Sequence, residues 1–319
     1  MMFKLYCVDT EITKYLTECT WSGDTEQAGR KLNFSLAFNP YDKDFSPADV
    51  KLGKDIRLVY SDNNKELNLF TGKIFMMDRK SNSYTVEYVA YDKVIYLAKS
   101  KITAKYEDSK VSDVIAHVCR TMGVTMGEVH ADLLGNTVSF VADNMAGTEI
   151  IKKALEELKA KTWHGYHIVL LQGALKVVRD DEKIETFKIK AGQNLISVSH
   201  SASIEDMVNK VQIVDKDGTV KGYVSNDNDI SDYGCISTVY KEDEKKETQS
   251  AAKAMLKPVK QNTSLSAIGN VQCVAGFGVE LWAEDESIKA KFRIKSDSHK
   301  IHNNQHEMDL TLEYLEEIK

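Results

Sequence analysis

The sequence predicts an α+β fold that is mainly β, with two β-rich parts flanking an α+β part. Three observations lead there. Apolar and polar residues alternate with period two in short runs through the first hundred residues. From about Lys101 apolar residues recur at helical spacing instead. Near Ala191 the period-two runs return and continue to the end. Strand side chains alternate between faces while helix neighbours lie three or four apart, so a change of period marks a change of element.

In the first part Leu32, Phe34, Leu36 and Phe38 alternate with polar residues, and Asn39-Pro40 stops the strand because proline has no N–H for a ladder. Ile56 to Tyr60, Leu67 to Met77 and Tyr84 to Ala90 follow, separated by the turns Ser61–Asn64 and Asp78–Asn82. Short strands at such spacing predict a small barrel or sandwich. Asp92 is placed to cap a helix over Lys93–Lys99. In the middle part Val111, Ile115, Val118 and Met122 share a helix face that Gly123 ends. Thr148 is the expected N-cap of a second helix with Ile151, Ala154, Leu155 and Leu158 inside. Tyr166–Leu171, a Gln172-Gly173 turn and Ala174–Val178 predict a hairpin.

The third part offers strands over Leu195–Met207, Val208–Val214 and Thr219–Val224, the last two joined at Asp217-Gly218. A segment containing Tyr233-Gly234 leads to a helix over Thr248–Lys257, ended before Pro258, then strands over Asn262–Ile268, Val271–Val274 and Gly278–Trp282. The chain closes on a hairpin. Ile288, Ala290, Phe292 and Ile294 alternate with Lys289, Lys291, Arg293 and Lys295, and Met308, Leu310, Leu312 and Tyr314 alternate with a mostly acidic row. Antiparallel pairing sets opposite charges across from each other. Facing residue numbers should sum to an even value of roughly 602 to 606, with Ser296–Gln305 as the connecting loop.

With 319 residues, 42% of them hydrophobic, the chain can build substantial cores in roughly two or three domains. A net charge of −6 argues against a general nucleic-acid binder. Five scattered cysteines (Cys7, Cys19, Cys119, Cys235, Cys273) without a C-x-x-C read as buried reduced thiols of a protein folded in a cytoplasm. No membrane-length apolar run and no secretory leader are visible.

Candidate sites reduce to structure. His299, His302, His306 and Glu307 are zinc-type ligands, but a polar loop with Asn303-Asn304 gives no fixed tetrahedron, and a solvated turn is the reading. His164 and His167 are an odd number apart, which on a strand sends them to opposite faces. Asp215–Gly218 lacks the glycine and glutamate positions of a calcium loop, and Asn226–Asp229 reads as a loop. Gly276-Phe277-Gly278 reads as a bend. No catalytic signature is present, so no catalytic, cofactor or metal residue is assigned. The row Lys289–Lys295 reads as a solvated, ion-paired face rather than a nucleic-acid surface.

The run from Leu195 to Val211, with Ser199, Ser203, Ile204 and Val208, resembles the opening of the last domain of the XkdQ/YqbQ family of prophage baseplate hub proteins, related to the phage late control protein D group. Tyr233-Gly234, Gly278, Ser298-His299, and Met308, Leu310 and Leu312 follow in the family's order. The resemblance is good over Gly192–Glu313 and looser before. It implies two small tube-like β-barrel domains, 1–100 and 191–319, the second with an inserted helix, flanking a peripheral α+β domain, 101–190. It implies no enzyme and no cofactor. It also implies a homotrimer, in a contractile phage tail or phage-tail-like bacteriocin, that adapts a hexameric tail tube protein to a trimeric central spike protein. Other baseplate proteins are expected as partners, with a LysM-containing one among the candidates; membrane and nucleic acid are not. A cell-wall-glycan-degrading tail enzyme is the alternative, and a nucleic-acid-binding β module a more distant one.

Overall fold

A computed structural model describes residues 2–25, 29–62, 65–171, 173–179, 186–242, 248–283, 288–302 and 305–318. The chain forms two compact units, Met1–Val198 with Leu265–Lys319, and Ser199–Ser264. The fold is α+β and mainly β.

The opening strands are β1 (Met2–Cys7), β2 (Thr10–Glu11), β3 (Leu16–Asp24), β4 (Lys31–Ala37), β5 (Asp55–Asp62), β6 (Lys65–Arg79) and β7 (Thr85–Asp92). They lie side by side as β3-β4-β7-β6-β5-β1-β2, all antiparallel. Leu32, Phe34 and Leu36 of β4 face inward with Leu5, Ile56, Leu58 and Ile74. The sequence reading assigns no strand to β1 or β3. In β3 the inward pair is Cys19 and Trp21 with threonine between, too little contrast for a hydropathy stripe.

The α+β part comprises α1 (Ile95–Lys99), β8 (Lys101–Lys110), α2 (Val111–Thr121), β9 (Thr125–Val129), α3 (Ala131–Gly135), β10 (Thr137–Ala146), α4 (Gly147–Thr162), β11 (Tyr166–Leu171) and β12 (Ala174–Arg179). Asp92 holds the start of α1, accepting from Val94 N at 2.9 Å. Gly123, at φ +68, follows α2. The N-cap of α4 is Ala146 rather than the expected Thr148, because Glu149 reaches back to accept Ala146 N at 2.9 Å. Gly147 sits where a Cβ would lie 2.6 Å from the Met122 sulfur, so the helix begins hard against α2. Val114, Ile115, Val118, Ile151, Leu158 and Leu175 form this part's own core. The 164–167 pair is not on one strand, since His164 precedes β11. Gln172 of the predicted turn lies outside the described residues, as do Asn63 and Asn64 of the earlier one.

The remaining elements are β13 (Thr186–Lys190), β14 (Leu195–Ser203), β15 (Lys210–Val214), β16 (Val220–Ser225), α5 (Asp227–Tyr233), β17 (Ser237–Lys241), α6 (Thr248–Lys253), β18 (Lys260–Ile268), β19 (Gly278–Ala283), β20 (Ile288–His302) and β21 (Gln305–Glu317). In the unit Ser199–Ser264, β15 is central, antiparallel to β16 and parallel to β17. Ala252 of α6 packs on Val211 and Ile213. Several boundaries differ from expectation. Met207 N donates to Ile204 O, a turn that ends β14 at Ser203 and delays β15 to Lys210. The expected loop Asn226–Asp229 is the start of α5, with the Asn226 side chain accepting from Asp229 N. Helix α6 stops at Lys253 because Lys257 pairs with Val208. Val271–Val274 is turn, not strand, with Cys273 N on Asn270 O.

The terminal hairpin is longer than predicted. Its facing numbers sum to 606 from Phe292 to Ile294, as in Arg293↔Glu313, and to 607 from Ser296↔Thr311 to His302↔Gln305. A β-bulge between Ile294 and Ser296 accounts for the change. One extra residue flips the inward parity from Phe292 and Ile294 to Asp297, His299 and Ile301. The predicted loop Ser296–His302 is therefore strand, and Asn303-Asn304 lie outside the described residues.

Strand β20 joins the two β parts. One edge pairs with β21; along the other, its first half pairs with β19 and its second half with β3. Among the described residues the strands of both β parts thus form one sheet that branches at β20, and no ladder closes it into two rings. The path nevertheless curls. From β21 to β1 is seven strand steps, roughly 34 Å in a flat sheet. Yet the rings of Phe3 on β1 and His306 on β21 have centroids 5.0 Å apart. The two parts keep separate cores, Ile294, Met308, Leu310 and Leu312 lying in the second.

Candidate functional site

The bulge turns a run with no apolar signal into a buried polar cluster of the first unit. Asp297 lies opposite Gly23 of β3, and His299 opposite Trp21. Arg30, just ahead of β4, reaches Asp297 with both prongs: Nη1 donates to Oδ1 at 3.0 Å and Nη2 donates to Oδ2. Ala275 N donates to the same Oδ1 at 2.6 Å. The guanidinium lies 4.0 Å from the Trp21 ring centre. Gly23 makes this possible, since a Cβ there would lie 2.4 Å from Arg30 Nη1. Arg30 is 8% exposed and Asp297 3%, so water screens the pair little. Arg30 N donates to Asp92 Oδ2 at 2.6 Å. Burial pushes the Asp92 carboxyl up to about 6 against the pull of that N–H and of Val94 N.

His299, at 0% exposure, packs against Trp21 with centroids 4.9 Å apart and the rings tilted by 33°. Its Nε2 lies 3.1 Å from the Cys273 carbonyl and 3.5 Å from Asp297 Oδ2, and its Nδ1 lies 3.0 Å from His306 Nε2. A carbonyl only accepts, so His299 Nε2 carries the hydrogen. In a neutral ring Nδ1 then accepts, and His306 Nε2 donates. Burial pushes both imidazoles down to about 4, His299 adding to the effect on His306. Burial also pushes the Cys273 thiol up to about 12, with Asp297 contributing. A neutral imidazole pair with His299 buried and His306 partly so, a two-pronged buried ion pair and a protonated thiol form a clamp, with neither general base nor nucleophile poised toward a substrate. The solvated turn expected around His299 is thus corrected: His299 is on a strand and fully buried. Among the described residues no group of three or more His, Cys, Asp and Glu is placed to hold a metal.

In the basic row Arg293 departs from the expected solvated face: it is buried and pairs with Glu313 at 3.6 Å, while Lys289 is exposed, over the Trp282 ring at 4.5 Å. The other motif positions do not converge on the clamp. Ser298 is half-buried on β20 facing Ser22 and Asp309 across its neighbours, and Gly278 is buried at the head of β19. In the second unit Ser199 and Ile204 are exposed, Ser203 Oγ accepts Glu205 N at 3.2 Å, and Val208 faces Lys257. Tyr233 ends α5, and Gly234, at φ +82, makes the turn after it. The residue that fixes that turn is Asn209, which sequence reasoning passed over. Fully buried, it donates to Gly234 O at 2.7 Å and accepts from Ile236 N at 2.8 Å. Arg30 and Asp297 were likewise missed; an arginine in a loop and an aspartate 267 positions later carry no mutual spacing signal.

Comparison with known proteins adds three kinds of likeness. A family model described as YQBQ-like matches residues 19–313. The chain is 25% identical to the Bacillus subtilis uncharacterized protein YqbQ over 77% of this chain and 78% of that one. It is 22% identical to the Bacillus subtilis phage-like element PBSX protein XkdQ over 97% and 96%. Among solved structures, the 43 kDa tail protein of prophage MuSo2 from Shewanella oneidensis superposes with a TM-score of 0.75 at 14% identity, covering 98% of both chains.

Proposed function

The chain belongs to the YQBQ-like family, and from that premise we propose that it is a structural protein of a phage-type tail, acting there as the baseplate hub. Three copies close a ring through heterologous contacts. Each contributes two β parts, residues 1–100 and 191–319, so six β parts meet the hexameric tube while the other side receives the trimeric spike. The α+β part, 101–190, faces outward to further baseplate proteins. The motif positions from Ser199 to Leu312 serve the folding of the wall, and the chain makes and breaks no bonds of its own. It folds in the bacterial cytoplasm and ends in the particle.

The observation that supports this reading best is β20, one strand built into both β parts and pinned by the Arg30–Asp297 pair. A symmetry adaptor needs such a stiff wall. The end-to-end likeness to a protein of a phage-like element supports the tail context. The test is the solution mass of the chain mixed with the tube and spike proteins of its own particle, by native mass spectrometry. A trimer of this chain bound to either is expected. A chain that stays monomeric and unbound with both overturns the proposal.

A further inference from the structure

Strand β6 is longer than either of its neighbours can cover. Its first half pairs with β5 and its second half with β7. The change falls at Gly72, where a Cβ would lie 2.3 Å from Tyr91 O. The β7 ladder would reach Thr71 if β7 ran on by one residue, to Lys93. It does not, because Asp92 accepts Val94 N at 2.9 Å and turns the chain into α1. We propose that the edge of β6 left open there, ending at Thr71, is a strand-addition site that takes an extended peptide segment of another protein.

The main-chain directions locate the open side. Ile74 N donates to Lys54 O, and Ile74 O accepts from Gly53 N, so Ile74 turns to the β5 side. Alternation, unbroken as far as the bulge at Leu69, turns Gly72 and Phe70 the same way and Lys73 and Thr71 the other. Strand β5 agrees from its own side. Asp55 O accepts Val8 N, so Asp55 and Arg57 turn to β1, and Arg57 is the residue opposite Thr71. Lys73 meets Tyr91 of β7. Thr71 is exposed, and among the described residues no strand lies beyond it on that side. Its N–H and C=O point along the line where a next strand would run.

A cleft of about 260 Å³ lies on that line, with Asn68 and Thr71 along β6, Tyr91 of β7, and Lys93 and Tyr96 at the turn into α1. One water takes up about 30 Å³ of the liquid, so the cleft has room for a stretch of chain. From Leu67 to Gly72 the edge carries neither a charge nor a proline to ward off pairing. The turn into α1 decides the occupant. The edge of a folded sheet, such as a second copy would offer, brings its next strand into α1. A lone extended segment has nothing behind it. Lys93 stands exposed at the cleft, so a carboxylate on the segment is favoured there. The site belongs to one chain and does not rest on a ring of three.

Amide exchange followed by NMR on the full chain tests it. In the isolated chain the Gly72 and Ile74 amides should exchange slowly and the Thr71 amide quickly. The probe is an array of overlapping peptides covering the other proteins of the particle. At least one should bind and slow exchange at Thr71. Thr71→Pro removes the outward N–H, and should hold that peptide about tenfold less tightly. Its melting temperature should match wild type, since a strand accepts proline where the N–H faces out. A Thr71 amide already slow in the isolated chain overturns the site, whether its own fold or a second copy fills the edge. So does an array without a binder, or a peptide held equally well by Thr71→Pro. Should that variant not fold, the wild type decides alone: a bound peptide that leaves Thr71 exchange unchanged rejects the site.

Discussion

Replacing Asp297 by asparagine tests the clamp most directly. The change keeps shape and removes one charge. In the native cluster the carboxylate accepts three N–H groups, two from Arg30 and one from Ala275. Asparagine offers one oxygen, and its amide N–H₂ meets donors on the other side. At least one buried donor is orphaned, at about 1–3 kcal/mol. More important, Arg30 keeps its charge but loses the carboxylate that both of its Nη atoms contact, with Trp21 still over its face. Breaking one side of a buried pair typically costs about 3–5 kcal/mol, and that is the expected loss. Urea unfolding followed by near-ultraviolet dichroism measures it, provided the slope is unchanged from wild type. Glu313→Gln is the matched control. Glu313 is half-exposed in its pair with Arg293, so a loss within about 1 kcal/mol is expected there. Arg30→Met with Asp297→Leu should recover much of the loss, because both charges leave together. If Asp297→Asn costs less than about 1 kcal/mol, the clamp does not bear on stability as argued.

Other expectations follow from single positions. Gly269→Ala forces a methyl into the His306 ring and should destabilise by about 1–3 kcal/mol, read as a lower melting temperature. Trp163 ends α4 at φ +63 while 88% exposed; Trp163→Gly should therefore raise the melting temperature, by about 1–2 kcal/mol of relieved backbone strain, and a lowered one would contradict this. Of the five cysteines only Cys235 is exposed, and burial raises the thiols of Cys19 and Cys273 to about 12 and of Cys119 to about 11. Maleimide at neutral pH should label one thiol natively and five in denaturant; mass spectrometry counts them.

The fold was legible where hydropathy contrast was high. Leu32 to Leu36 in β4 and Ile151 to Leu158 in α4 announce their period, and both bury the side that the period names. The even-sum register read for the terminal hairpin holds from Phe292 to Ile294 and fails on either side of it, at Ala290 and Lys291 and from Ser296 onward. A bulge leaves no mark in hydropathy, and after it the inward residues are an aspartate and a histidine, which look like loop. The exposed Cys235 escaped for a related reason: composition speaks of thiols on average, not of one in a turn after Gly234. The clamp was invisible because its halves are distant in the chain, and burial makes them partners only after folding.

A strand held in common by two cores has a mechanical meaning. Tension applied to one β part passes to the other along the covalent main chain of β20, with rows of ladder bonds loaded together on both of its edges. The two parts cannot slide past one another as docked bodies do. A pull strong enough to separate them has to rupture a sheet rather than peel a surface.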